Sequence, residues 1–568
     1  RLFFSGLGLT LLLSAGVVLA DTLSGKVVGV SDGDTITVLD SDKQQHKIRV
    51  AGIDAPEKNQ AFGQRSKESL SRLVFGKEVE VQWSKHDRYQ RIVGKVMVAE
   101  PSPDISQVGI GGTAERRSNT GIEAVLRGVP PMPKCTAYEM GFGRLGRRVI
   151  EANFEGGALS SDGGLMLLRQ VDGRIGLSAA VAAALSDPRN PDRIVHELRD
   201  LVAQRLYGLA CGYEDLNDHA ALRNDPLMQT AVGTGAELGS SPTLCRMERR
   251  ATRADVVAIN RVLVEQFIAS KRSAPTELTL DIDASDIPLH GDQEGAEFHA
   301  YYDHYCYLPL YVYAGRDMLA CVLRRSRIDG AKHAAAVIKL LVARLRQAWP
   351  DVRIILRGDS GFCRQRLIRW CEQRRVGYVI GVARNARLHR IVEGWERELE
   401  ARYAESGAKQ RAIREFRYAA DSWNIERRIV TRLEFGAQGA NPRFIVSNLD
   451  TPADELYDGL YCQRGEAENR IKETQLDLFG TRASSQKFHA NWLRCLFSAL
   501  AYTLMQRLKE LALCGTELAR ASAATIRVKL LKIGAAVIRN TRRIRILFAS
   551  HHPLRELFLT AARALASP

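Results

Sequence analysis

Acidic residues set into apolar text are the first feature of this sequence with chemical content. The segment Glu277-Leu278-Thr279-Leu280-Asp281-Ile282-Asp283-Ala284-Ser285-Asp286 alternates as a strand does and carries carboxylates among its apolar positions. A second apolar run, Val352-Arg353-Ile354-Ile355-Leu356-Arg357-Gly358, ends at Asp359. A third acid, Glu468, lies between Tyr461 and Lys472. There Tyr461, Arg464, Glu468 and Lys472 recur at intervals of three, four and four, which places them along one helix face. A lone Asp is usually a solvated surface group, but an acid that lines or caps a buried strand costs desolvation energy that something must offset. Carboxylate oxygens suit a hard cation such as Mg2+, so metal-assisted chemistry is open to these residues if the chain brings them together.

The elements around them could do so. From Thr276 the text changes to strands: Glu277 to Asp286, the aromatic and apolar run His299 to Ala314, and Met318 to Leu323. A periodic helix from Ala331 to Trp349 follows, then the strand ending at Asp359, a helix from Arg364 to Arg375 and a strand from Gly377 to Val382. Three strands, a helix, a strand and a helix make the order of an RNase H-like α/β fold. In that fold the first and fourth strands are neighbours, so Asp283 and Asp359 would converge, with the third acid supplied by a later helix. Asp281 and Asp283, two apart on a strand, share a face, and either could be the first acid. Gln293 and Glu294 could line the same cleft.

The phrases "ALSSDGG", "DIDASDIPLHGDQEGA", "RGDSGF" and "YCQRGEAENRIKE", in that order, resemble the DDE transposases of bacterial insertion sequences, in the branch with the Y-x2-R-x3-E signature and most like insertion sequence family 1380. The resemblance spans residues 132–568. It implies catalytic and metal-binding roles for Asp283, Asp359 and Glu468, which would hold two Mg2+ ions, with Mn2+ as an alternative. It implies DNA-phosphate contacts from Tyr461, Arg464 and Lys472. Its D-x-S/T pattern favours Asp283, leaving Asp281 and Asp286 as supporting acids. It also implies a strand-rich insertion at about 383–450, supplied by Arg414 to Phe435 and Phe444 to Ser447. The implied partners are double-stranded DNA (the terminal inverted repeats and the target) and a second copy of the chain in the synaptic complex, with no small-molecule substrate. One position departs from the signature: a Lys is usual seven residues after the Glu, and Gln475 stands there.

The amino-terminal part reads differently. Leu2 to Ala20 is apolar and uncharged and ends in Val18-Leu19-Ala20, as a secretory signal peptide does. From residue 21 to 99 the text alternates as half-buried strands, with a D-G-D turn at Asp32 to Asp34 and a strand, Lys47 to Ile53, running into Asp54-Ala55-Pro56-Glu57. This resembles the thermonuclease (staphylococcal nuclease-like) family, an OB-type barrel acting on nucleic acids with Ca2+. The resemblance implies metal ligation by Asp32 and Asp54, general-base work by Glu57, and phosphate contacts from Arg49 and Arg91; Ala55 stands where the family usually has Thr. The covering helices of that family are missing after Val98, so the expectation is a truncated barrel that folds poorly and is inactive, its Ca2+ site vestigial. Residues 100–131, rich in Gly, Ser, Pro and Arg, read as a junction. The whole reads as a mobile element's frame joined to part of an interrupted nuclease gene.

Composition sets outer limits. The chain has 568 residues, with Lys and Arg exceeding Asp and Glu by 16. That surplus fits a polyanionic partner. At 45% hydrophobic and 26% charged, the chain is neither disordered nor a polytopic membrane protein. The 10 cysteines include no C-x-x-C pair and suit a reducing compartment, the cytoplasm and its nucleoid. Residues 132–275 read as a helical DNA-binding and dimerisation domain, with Ser241 to Arg250 a candidate recognition helix; 276–480 as the catalytic domain; and 481–568 as a basic helical region, including a buried amphipathic helix from Trp492 to Leu513.

Overall fold

The computed structural model describes residues 21–31, 35–50, 63–86, 91–98 and 140–566. The signal-like segment, the junction and Asp32, Asp54 and Glu57 lie outside these residues. The chain divides into two compact units, residues 1–132 and 133–568.

In the first unit, the strands Asp21–Val30, Thr35–Leu39, Gln45–Val50, Glu78–His86 and Ile92–Val98 close into a barrel. Closure comes from the first strand, which pairs antiparallel with both the second and the fourth, and from parallel pairing of the third with the fifth. Val27, Ile36, Val38, Ile48, Val79, Val81 and Ile92 fill the interior, and the helix Gly63–Val74 adds Leu70 and Val74. The OB-type barrel expected for this segment is present among the described residues. A ring of strands has no open edge, and one helix face is enough to complete this small core.

The second unit is built on one twisted sheet. Its strands are β1 (Glu277–Ala284), β2 (Leu310–Ala314), β3 (Asp317–Val322), β4 (Arg353–Gly358), β5 (Gly377–Val382), β6 (Gln410–Tyr418), β7 (Arg427–Gly436) and β8 (Arg443–Ser447), in the order β3-β2-β1-β4-β5-β8-β7-β6. β1 pairs antiparallel with β2, and β4 runs parallel to β1 and β5. β4 and β5 are almost continuously buried, as central strands of a covered sheet are. Helices α1 (Ala334–Ala348) and α2 (Gln365–Gln373) cover one face through Ile338, Leu345, Ile368 and Cys371.

The insertion begins with a helix that the sequence reading had not marked, α3 (Ala386–Ser406). Asn385 caps it, its Oδ1 accepting from the Leu388 N–H at 2.9 Å, and Gly407 ends it at φ +63°. The strands then return as β6, β7 and β8 and extend the sheet, β8 pairing with β5.

The catalytic-region helix α4 (Gly465–Lys472) packs its Ala467 and Ile471 inward against β1. The long helix α5 (Phe488–Ala512) is buried on nearly every side, not amphipathic, because the helices Leu165–Ile175, Leu198–Cys211 and Arg253–Ser270 pack around it. The segment expected as a separate helical domain therefore shares one core with the C-terminal helix. Thr525 to Phe548 is not continuous helix either. After Leu531 the chain forms a hairpin, Ala535–Arg539 with Ile544–Phe548, which pairs with Leu159–Ser160. Its Val537, Ile538, Ile544 and Ile546 are β-branched, and Asn540 accepts from the N–H groups of Arg542 and Arg543 in the turn.

Among the described residues every cysteine is free, and no helix is long and apolar enough to cross a membrane.

Candidate active site

The register of the sheet sets the first two acids. β1 and β4 are parallel neighbours, with Asp281 opposite Arg357 and Ile282 opposite Gly358, so Asp283 and Asp359 lie at the same end of adjacent strands. Asp359 leaves β4 as the cap of a short turn, its Oδ1 accepting from the Gly361 N–H at 2.9 Å. Glu468 comes from α4. Asp283, Asp359, Glu468, Arg464, Lys472 and Gln475 line one cavity of about 290 Å³.

Asp281 does not share that cavity. It is buried and held by Arg357 through two hydrogen bonds, so Asp283 is the strand acid left facing the opening. Asp286 is occupied by His304, whose Nε2 stands 2.8 Å from its Oδ2. Gln293 lines a different cavity and Glu294 accepts from the Phe488 N–H.

Burial pushes the Asp283 carboxyl up to about 6, and the negative charge of Asp359 adds to the rise. Arg464 offsets part of this: its Nη1 is 3.3 Å from Asp283 Oδ2 and its Nη2 is 2.6 Å from Glu468 Oε1. Among the described residues no three His, Cys, Asp or Glu side chains form a closed metal-binding cluster. The three acids share a cavity, with a guanidinium bridging two of them. The donor set still fits Mg2+. It consists of hard carboxylate oxygens with a surplus of negative charge, facing an opening roomy enough for the waters that Mg2+ retains.

The helix bearing Glu468 is composite. Its backbone is wound in wide π turns over Glu455–Tyr461, tightens over Cys462–Arg464, is α-helical over Gly465–Lys472 and widens again over Glu473–Asp477. Arg464, Glu468 and Lys472 reach the cavity. Tyr461 is half-buried behind it, and burial pushes its hydroxyl up. A Cβ on Gly381 of β5 would stand 2.7 Å from the Tyr461 hydroxyl and 2.8 Å from the Ser360 nitrogen. Gly381 therefore permits the close approach of Tyr461 and the Asp359 turn. The sequence reading missed it because a glycine within a strand gives no sign of what approaches it. Gln475, which stands at the signature's usual Lys, donates from Nε2 to the Asp286 carbonyl at 3.0 Å and is structural on that side. In the candidate recognition helix Ser241–Arg249, Glu248 is a buried clasp between Arg205 and Arg494.

In the barrel, Arg49 lies opposite Thr35 across one strand pair and beside Val93 across another. Arg91 donates to the Thr35 hydroxyl at 3.1 Å.

Comparison with known proteins bears on both units. The family described as staphylococcal nuclease homologue matches residues 47–111. An uncharacterized endonuclease of Haemophilus influenzae is 45% identical over 86 residues, 15% of this chain and 48% of that protein. Protein ParB of Escherichia coli is 50% identical over 76 residues, 13% of this chain and 42% of that protein. The chain thus spans about half the length, or less, of these curated relatives. A cryo-EM structure of a piggyBac transposase synaptic complex with hairpin DNA aligns with a TM-score of 0.35 at 11% identity, covering 66% of this chain and 80% of that one. The family described as transposase DDE domain group 1 matches residues 142–567, more than half of the chain, and this protein belongs to that family.

Proposed function

We propose that residues 133–568 act as a transposase that cuts DNA strands and transfers the freed ends at the terminal inverted repeats of an insertion sequence. The observation that carries this reading is the single cavity lined by Asp283, Asp359 and Glu468, acids from three separate elements, together with Arg464 and Lys472. The order β3-β2-β1-β4-β5, with β2 alone antiparallel to the other four, supports an RNase H-like core. Asp283, Asp359 and Glu468 would hold Mg2+, or Mn2+ in its place. Two such ions, when bound, supply activation of a water or 3′-hydroxyl and stabilisation of the leaving oxygen. The chain's own residues do the positioning. Lys472 and Arg464 offer charge-assisted hydrogen bonds to phosphate oxygens, and Tyr461 fixes the Asp359 turn from behind. The helices of 165–270 and the basic C-terminal hairpin would hold duplex DNA, with two copies bringing two ends together.

Cleavage of duplexes carrying the repeat ends, assayed in Mg2+ with Ca2+ chelated, tests this reading. Asp359→Ala is expected to abolish cleavage and to leave end binding intact. Cleavage by that variant at the wild-type rate would overturn the assignment.

A second activity is favoured by the barrel itself. Its closure, with Arg91 on the Thr35 hydroxyl and Arg49 opposite Thr35 in the strand register, supports a Ca2+-dependent phosphodiesterase in the first unit. Sequence-independent hydrolysis of DNA that needs Ca2+ and is lost in Arg49→Ala, yet unaffected by Asp359→Ala, would establish it.

A further inference from the structure

The cavity holds more opposed charge than phosphate binding alone requires. Asp283 and Glu468 come from different elements, and the one group that touches both is the Arg464 guanidinium. Its side chain and that of Asp283 are largely enclosed, at 21% and 14% exposed. A planar fork with five donors suits such bridging, whereas an ammonium does not. Lys472, the other cation at the cavity wall, makes no ion pair among the described residues. Asp359 receives only a backbone N–H at its Oδ1 and has no basic partner among the described residues. The acids are therefore neutralised unevenly, Asp283 and Glu468 by an internal cation and Asp359 by none.

This arrangement conflicts with divalent metal at the same carboxylates. Arg464 donates to the oxygens that a metal would take as ligands, and a guanidinium within a few ångströms of a doubly charged ion is repelled. The same nitrogens cannot donate to a DNA phosphate while they bridge the two acids. From this geometry we infer that Arg464 is a resident counter-cation of the acidic site: it competes with divalent metal for Asp283 and Glu468, and metal binding frees it to grip a DNA phosphate. The inference rests on the transposase reading and adds an order of events to it. Asp283, Asp359 and Glu468 would hold the metal, and Arg464, once released from Asp283 and Glu468, would be free for a DNA phosphate. Metal and DNA then bind cooperatively through one side chain.

The test is Mn2+ binding to the full chain without DNA, followed by calorimetry or by the loss of the free-ion paramagnetic resonance signal. Arg464→Gln is expected to bind Mn2+ about fivefold or more tightly than wild type, with Arg464→Lys between them because its ammonium cannot span both acids. In EDTA, Arg464→Gln is expected to melt below wild type, since the acids then face one another without a counter-charge, and Mn2+ should narrow that gap. Equal or weaker Mn2+ affinity in Arg464→Gln overturns the counter-cation role while leaving the metal site standing. If neither protein binds Mn2+, or if Asp359→Asn binds it as wild type does, the metal reading of the cavity fails and this inference fails with it.

Discussion

Arg357 holds Asp281 through two parallel hydrogen bonds, Nε to Oδ1 at 2.5 Å and Nη2 to Oδ2 at 2.8 Å, while its Nη1 donates to the Leu460 carbonyl at 2.6 Å. One buried guanidinium thus joins β1, β4 and the π-wound first stretch of the helix that carries Glu468. It fixes the relative positions of all three sources of acid without reaching the cavity. Arg357→Met removes the charge and leaves the Asp281 carboxylate buried without its partner. It is expected to lower the stability of the second unit by about 3–5 kcal/mol, the usual result of breaking a buried pair. Urea denaturation measures the loss, and a drop under about 1 kcal/mol would show that the pair is dispensable.

Gly381→Ala should separate positioning from folding. The added methyl meets the Tyr461 hydroxyl and the Ser360 nitrogen at less than contact distance, so either the helix or the Asp359 turn must shift. A cost of about 1–3 kcal/mol is expected from overpacking, together with a disproportionate loss of cleavage at unchanged DNA affinity. Adding Tyr461→Phe removes one of the two close contacts and should restore part of the activity. A Gly381→Ala protein that cuts like wild type would refute the close-packing argument.

His219 gives the second unit a pH response remote from the cavity. Burial, reinforced by the nearby Arg205 charge, holds its ring down at about 3, against an ordinary value of 6.5. The folded protein keeps the ring neutral, while the unfolded chain protonates it below 6.5. Its contribution to stability is therefore complete above that pH and declines as pH falls toward 3, at up to about 1.4 kcal/mol per pH unit. Melting temperatures of wild type and His219→Gln, measured from pH 8 to pH 4.5, should approach each other as the solution is acidified. Parallel curves would show that His219 does not titrate as described.

The residues that line the cavity were more legible in the sequence than the architecture around them. Apolar strands ending in acids, and a helix with its charges at intervals of three and four, pointed to Asp283, Asp359, Arg464, Glu468 and Lys472, because those patterns depend on local periodicity. The choice between Asp281 and Asp283 could not be made locally. It turns on Arg357, which faces Asp281 only once β4 lies beside β1. The barrel was legible as an OB-type fragment, but its closure was not: the first strand pairs with two partners, and no single strand announces that. The hairpin at 535–548 was obscured by interleaved arginines that suit an exposed strand as well as a helix. The burial of α5 on nearly every side depends on the helices Leu165–Ile175, Leu198–Cys211 and Arg253–Ser270, far earlier in the chain.

α5 also has a bearing on how such a protein can change. Its Lys509 holds Glu473, just beyond the acid-bearing helix, and its Arg507 holds Asp317 of β3, while its apolar surface supplies the packing for the amino-terminal helices. Recombination that swaps the carboxyl-terminal stretch for a homologue's, or a premature stop codon within it, would therefore remove more than an accessory tail. It would unseat the acid-lined cavity and the helices that precede it together, so changes outside the codons for Asp283, Asp359 and Glu468 would disable the protein.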